Sequence, residues 1–132
     1  MSQSEIELAL KSYSDSDSLL RFKAAVCECG ERHFKILVDD NEGAAVRVCK
    51  NCKSRQPIGD SADYLAEAEL EECECPCGNG YLELVVGALL YESSNDVRWI
   101  YLGCSCPKCS QTGCYADWKN EYIGYEGLLE RV

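Results

Sequence analysis

Cys75-Pro76-Cys77-Gly78 and Cys106-Pro107-Lys108-Cys109 are the stretches of this chain best fitted to do chemistry. A thiolate is a metal ligand, and cysteines one or two residues apart put two sulfurs on a single turn. Between these turns lies a hairpin pattern. Residues 81–90, YLELVVGALL, are apolar and rich in β-branched types, Ser93 to Asp96 supply turn chemistry, and VRWIYLG at 97–103 runs back to the second pair. Antiparallel strands joined in this way bring both turns to one end. Four thiolates at tetrahedral corners, about 2.3 Å from an ion, then form a closed zinc site.

The same layout occurs earlier in the chain. LLRFKAAV at 19–26 predicts a strand leading into Cys27-Glu28-Cys29-Gly30, and HFKILV at 33–38 and AAVRV at 44–48 flank the turn at 39–43 and end at Cys49-Lys50-Asn51-Cys52. Cys27 and Cys29 fall on Cys75 and Cys77 at an offset of 48 residues, and Cys49 and Cys52 on Cys106 and Cys109 at 57, so the chain contains an internal repeat. Nineteen residues separate Cys29 from Cys49 and twenty-eight separate Cys77 from Cys106, which lengthens the second hairpin around Gly87 and Asn95. A short third strand is expected after each copy, at 55–60 and 113–118. A glycine directly after the second cysteine, Gly30 or Gly78, permits positive φ and lets backbone N–H groups face the sulfurs.

This pairing of cysteine turns on hairpins resembles the zinc-ribbon, or rubredoxin-like, family, in which two turns and a three-stranded sheet hold one zinc. The resemblance covers 27–60 and 75–118 separately. It departs from the family pattern in having Cys-x-Cys, not Cys-x2-Cys, in the first turn of each copy. It implies a mainly β protein with short helices, two tandem ribbons and two Zn²⁺ per chain. One ion would be held by Cys27, Cys29, Cys49 and Cys52, the other by Cys75, Cys77, Cys106 and Cys109. The chain then divides into an N-terminal helix or flexible segment (1–18), a first ribbon (19–60), an acidic connector (61–72), a second ribbon (73–124) and a short C-terminal helix (125–132). Each copy is too small for a dependable apolar core, while a structural zinc contributes roughly 10–16 kcal/mol to folding.

The connecting segments carry weaker signals. Ser4 can cap a helix with Ile6, Leu8, Ala9 and Leu10 on an apolar side, and residues 12–18, serine alternating with aspartate, suggest a polar connector. SADYLAEAELEE at 61–72 suggests helix giving way to strand near Leu70. In the final YEGLLERV, a helical turn should pack Leu128, Leu129 and Val132 on Trp118 or Tyr122.

Eleven cysteines, an odd number, favour metal over a disulfide framework and a reducing, cytoplasmic compartment. No signal-peptide pattern or membrane-length apolar run is present, so no membrane partner is expected. Cys73, Cys104 and Cys114 fall on Ala25, Arg47 and Pro57 of the first copy, outside the repeated unit. Small buried hydrophobes are their simplest role. Cys73 or Cys104 could also compete as a ligand with the cysteine two residues on, or they could form a third metal site or redox pair.

No catalytic residue is assigned. His33, the single histidine, stands in a strand, and no phosphate loop, nucleophile elbow or carboxylate motif appears, so neither enzyme activity nor a small-molecule substrate is expected. Residues 1–60 carry nine Lys and Arg against ten Asp and Glu. Residues 61–132 carry four against thirteen, within a net charge of −10. That balance disfavours nucleic acid. The opposing feature is a basic set in the first copy, Arg21, Lys23, Arg32, Lys35, Arg47, Lys50, Lys53 and Arg55, with Phe22 and Phe34 as stacking groups and acids among them. The favoured expectation is a non-enzymatic protein-interaction module, an adaptor or regulator. Trp99, Tyr101, Tyr115, Trp118, Tyr122 and Tyr125 would supply interface aromatics unless they form the core. A nucleic-acid-binding ribbon of transcription or translation machinery is the alternative. A thiol redox sensor is a third reading, which the spacing does not itself indicate.

Overall fold

Apolar residues alternate with others in HFKILVD, and in the computed structural model, which describes residues 2–14 and 18–132, this stretch is strand β2 (His33–Asp39). Phe34, Ile36 and Val38 are buried and the residues between them half-exposed. The remaining strands are β1 (Leu20–Ala24), β3 (Ala44–Cys49), β4 (Arg55–Pro57), β5 (Glu71–Cys73), β6 (Leu82–Leu90), β7 (Val97–Ser105) and β8 (Thr112–Tyr122). Helices α1 (Ser2–Ser14) and α2 (Tyr125–Leu129) stand near the two ends of the chain. The expected polar connector begins later than its composition suggests, because α1 runs through Ser14; residues 15–17 lie outside the described residues. The helix expected within 61–72 does not form. A single 3-10 turn at Ser61–Asp63 and further turns lead to β5, so only the strand near Leu70 is realised. The third strand of the first copy stops at Pro57, and that of the second extends to Tyr122.

The strands do not make two separate three-stranded sheets. They form one antiparallel sheet in the order β4-β3-β2-β6-β7-β8, with β1 added to β6 and β5 to β2. Each copy contributes its three strands, but the strand leading into each copy pairs with the other copy. The exchange obeys the repeat. Residues paired between β1 and β6, such as Ala24 with Val85, become Glu72 with Leu37 when each is shifted by 48, and that is the pairing of β5 with β2. At the centre Phe34 pairs with Leu82, its own equivalent, so a pseudo-two-fold axis passes between β2 and β6.

The inner face of the sheet closes over one apolar core shared by both copies. It includes Phe34, Ile36, Ala45 and Ile58 from the first and Leu82, Leu84, Ile100, Leu102 and Trp118 from the second, with Leu128, Leu129 and Val132 joining from the C-terminal segment. Strands far apart in the sheet order meet across it. The β2–β3 turn lies on Trp118, where a Cβ on Gly43 would sit 3.0 Å from Cδ1, and buried Asn120 of β8 donates to Asp60 at 2.8 Å. A second, smaller cluster occupies the outer face of β6–β7–β8, where α1 lays Ile6 and Leu10 against Val85, Leu89 and Tyr101. Ile6 and Leu10 are fully buried, whereas Leu8 points outward. Gly87 and Gly103 make the flat seat for this helix. No described helix is long and apolar enough to cross a membrane.

Candidate metal centres

Four turns carry the eight cysteines, and all four close alike. The N–H after the second cysteine donates to the carbonyl of the first: Gly30 to Cys27, Gly78 to Cys75, Lys53 to Cys49 and Ser110 to Cys106, at 2.8–3.1 Å. Each first cysteine in turn donates its N–H to the carbonyl two residues past the second, Glu31, Asn79, Ser54 or Gln111, at 2.9–3.1 Å. The Cys-x-Cys turns are therefore shortened versions of the Cys-x2-Cys turns with the same closure. The residue after the second cysteine has positive φ in each: 94° at Gly30 and 95° at Gly78, but also 64° at Lys53 and 65° at Ser110. Glycine adopts this region freely, and an ordinary side chain resists it.

The turns meet in two clusters. Cys27, Cys29, Cys49 and Cys52 form one, Cys75, Cys77, Cys106 and Cys109 the other, with all sulfurs of a cluster within 4.8 Å of one another. Cys27 lies 3.5 Å from Cys52 and Cys29 3.6 Å from Cys49; the matching separations in the second cluster are 3.3 Å and 3.6 Å. Sulfurs about 2.3 Å from a tetrahedral ion would stand roughly 3.8 Å apart. The clusters thus have very nearly the dimensions of a four-thiolate metal site, and they are too open for S–S bonds of 2.03–2.05 Å. In every turn the first cysteine is buried and the second exposed.

Neighbouring donors face the sulfurs, as a cluster carrying thiolate charge requires. The Ser54 hydroxyl lies 3.5 Å from Cys27 Sγ and 3.1 Å from Cys52 Sγ. The amide of Asn51 donates to Cys29 at 3.7 Å, that of Asn79 to Cys106 at 3.5 Å, and the Cys52 N–H to Cys49 at 3.4 Å. The backbone N–H of Cys29 and the Ser54 hydroxyl bring the Cys27 thiol down to about 6. Burial would push Cys106 up, but the Asn79 amide and the N–H groups of Cys109 and Lys108 outweigh it and bring that thiol to about 6 as well. At Cys49 burial outweighs the N–H groups of Cys52 and Asn51 and pushes the thiol up to about 11. At the second cluster the buried Tyr115 hydroxyl has no hydrogen-bond partner of good geometry, yet its phenol is pushed up by burial and then by Cys75 nearby. A thiolate at Cys75 would offer this hydroxyl an acceptor. Sequence reasoning missed Ser54, Asn51, Asn79 and Tyr115. The first three were visible as polar residues in or beside the turns, and Tyr115 comes near only through the β7–β8 pairing.

The other expected residues are dispersed. Cys73, Cys104 and Cys114 belong to neither cluster; Cys104 is fully buried on β7, where desolvation raises its thiol well above the ordinary range. His33 also stands outside the clusters, with Nδ1 3.2 Å from the Glu31 carboxylate. The basic set divides. Lys23, Arg47 and Arg55 line a cleft of about 730 Å³ beside the first cluster together with Glu28 and Glu130. Lys35, Lys50 and Lys53 gather round Tyr81, and Arg21 lies over Tyr125. Neither Phe22 nor Phe34 is an exposed stacking group, since Phe34 is fully buried beneath Arg47 and Phe22 is half-buried against the α1 cluster. Of the aromatics expected at an interface, Trp118 is 5 % exposed in the shared core and Tyr101 7 % exposed beneath α1. Trp99 is half-buried and donates to Asp117 at 2.9 Å.

Fold and site together define a small, mainly antiparallel β protein with two four-cysteine clusters suited to metal. No family model matches the chain, and no curated protein or solved structure matches it.

Proposed function

We propose that the chain is a non-enzymatic protein-interaction module, built as two tandem zinc ribbons whose clusters each hold one structural Zn²⁺. Four sulfurs per cluster, packed to tetrahedral spacing, are the observation that carries this reading. Such a set fills every corner around the ion with protein, whereas a catalytic zinc keeps a position for water. Bound zinc would fix the four turns. Four thiolates around a divalent ion leave a charge of −2, which the Ser54, Asn51, Asn79 and Tyr115 donors are placed to temper. Thiolate sets also suit iron, so the metal's identity is part of the test.

Metal analysis of the purified chain should find two zinc ions, and Cys109→Ser should leave one. Iron in place of zinc, or no metal, overturns the metal assignment. Capture from native extract should recover a stoichiometric protein in a salt-tolerant complex. Recovery of nucleic acid with no protein overturns the interaction reading.

A further inference from the structure

With Trp118 taken into the core and Trp99 half-buried, the largest grouping of cations about one ring among the described residues lies elsewhere. Tyr81, directly after the first turn of the second cluster, is ringed by the ammonium groups of Lys35, Lys50 and Lys53 at 5.7, 5.7 and 5.3 Å from its centroid. Lys53 Nζ also donates to the Lys50 carbonyl at 2.9 Å and to the Tyr81 hydroxyl at 3.4 Å. In the sheet, Lys35 stands opposite Val48 and Val48 opposite Arg55, so these three share the outer face of β2–β3–β4. The result is three cations around one tyrosine, with Arg55 on the same sheet face, on a chain of net charge −10.

Two further observations show that this grouping is built. Lys53 occupies a positive-φ position where the equivalent residues of the first turns are Gly30 and Gly78, so a long cation is kept at a backbone cost that glycine would remove. The cations are also incompletely matched: Lys35 pairs with Glu72 at 3.3 Å, but among the described residues no carboxylate lies within ion-pair reach of Lys50, Lys53 or Arg55. Nor do these cations bond the cluster sulfurs, which take their hydrogen bonds from Ser54, Asn51 and the backbone.

We propose that this face, centred on Tyr81 with Lys35, Lys50, Lys53 and Arg55, docks an acidic peptide segment of a protein partner. The proposal rests on the protein-interaction reading and names the chemistry of its partner. Carboxylates can bridge ammonium groups already held apart by one ring, so little side-chain freedom is lost on binding. A nucleic-acid strand fits less well. The lysines lie over the ring that a base would stack on, so the stacking half of single-strand binding is lost, whereas a carboxylate peptide needs only the ammonium groups.

The test uses the full metal-loaded chain and a fluorescein-labelled hexaglutamate peptide at low salt, read by anisotropy. Saturable binding is expected. Lys50→Gln with Lys53→Gln should weaken it about tenfold, since two charged contacts are lost. Arg98→Gln with Lys119→Gln, of the same net charge but on β7 and β8, should leave it within twofold. Metal content measured on each variant confirms that the clusters are intact. Absence of saturable binding, or equal weakening by both double variants, overturns the proposal. So does tighter binding of labelled oligothymidine that is lost in the same lysine variant, which would make the face a nucleic-acid site. None of these failures touches the metal stoichiometry or the extract capture, so the broader reading stands or falls separately.

Discussion

Gly103→Ala should lift α1 off the sheet without disturbing either metal centre. A Cβ at Gly103 would stand 2.4 Å from Ile6 Cγ2, 2.9 Å from Leu10 Cδ1 and 3.0 Å from Leu10 Cγ. Reaching an ordinary carbon–carbon contact of roughly 3.6 Å requires a shift of about 1.2 Å. The obstacle is the buried side of a helix and no flexible tip can swing away, so the helix must move. Overpacking of this kind typically costs about 1–3 kcal/mol. Complete undocking would forfeit the burial of Ile6 and Leu10, both fully buried, at about 1.5–3 kcal/mol each. The expected loss is therefore about 1–3 kcal/mol with α1 displaced, and at least about 3 kcal/mol with α1 released, since Val85, Leu89 and Tyr101 would be uncovered as well. Urea denaturation gives the energy and limited proteolysis within residues 2–14 gives the location. Repeating the substitution in an Ile6→Ala background should recover much of the loss, because the closest partner has been removed. A cost below 0.5 kcal/mol, or strict additivity with Ile6→Ala, would refute the glycine-seat argument.

Gly30→Ala isolates the turn conformation, since its Cβ would meet nothing within 4 Å while φ is +94°. Weakened metal retention at the first cluster by about 1–2 kcal/mol in chelator competition is expected, and unchanged retention would contradict it. Replacing Cys73, Cys104 and Cys114 together by alanine should leave two metal ions per chain by elemental analysis; a lower count would make one of them a ligand. Asp39 accepts the N–H groups of Glu69, Glu42 and Asn41, which hold its carboxyl below its ordinary value of 3.8. A lowered folded-state value means stability that is complete above the unfolded value and lost as pH falls through the folded one. At neutral pH Asp39→Ala should therefore speed amide hydrogen exchange at Glu42 and Glu69, and in the wild-type chain the same loosening should appear only below about pH 4.

The local features were legible because their signals are local. Cysteine spacing sorted eight sulfurs into the two quartets that the structure brings together, and the 48-residue offset that aligned the copies also relates the two strand exchanges. Ile6 and Leu10, four residues apart, mark the buried stripe of α1. The single sheet could not be read in the same way. Alternation in LRFKA says that Phe22 and Lys23 face opposite ways, but it carries nothing about whether the partner is β2, a few residues on, or β6, which the strand actually joins. The 61–72 stretch misled because its alanines and leucines express intrinsic helix preference. In the fold this stretch must turn back and deliver β5 to the free edge of β2, and pairing overrides propensity. Trp118 has the composition of an interface residue and becomes core only because the β2–β3 turn arrives from the far end of the sheet.

That shared core changes what metal at the two clusters would contribute. The sequence suggests that each small copy needs its ion in place of an apolar interior, yet the interior exists and is drawn from both copies at once. One cysteine of each turn, Cys27, Cys49, Cys75 or Cys106, reaches into that core, and the rest of the turn faces solvent. Of the residues between and just after the ligand cysteines, Glu28, Gly30, Lys50, Asn51, Lys53, Pro76, Gly78, Pro107, Lys108 and Ser110 are all exposed. Apart from that one buried cysteine, no core side chain comes from these loops, and their closing hydrogen bonds are short-range. A sulfur-bound ion would add a second tether to these four turns, two of them at positive φ on Lys53 and Ser110. Metal and core would then divide the sheet between them: packing holds α1 and the long β6–β7–β8 hairpins, and loaded clusters would hold the ends of the strands that flank the pseudo-two-fold axis. Because β1 leads into Cys27 while paired with the second copy, and β5 leads into Cys75 while paired with the first, each cluster also anchors a strand belonging to the other half.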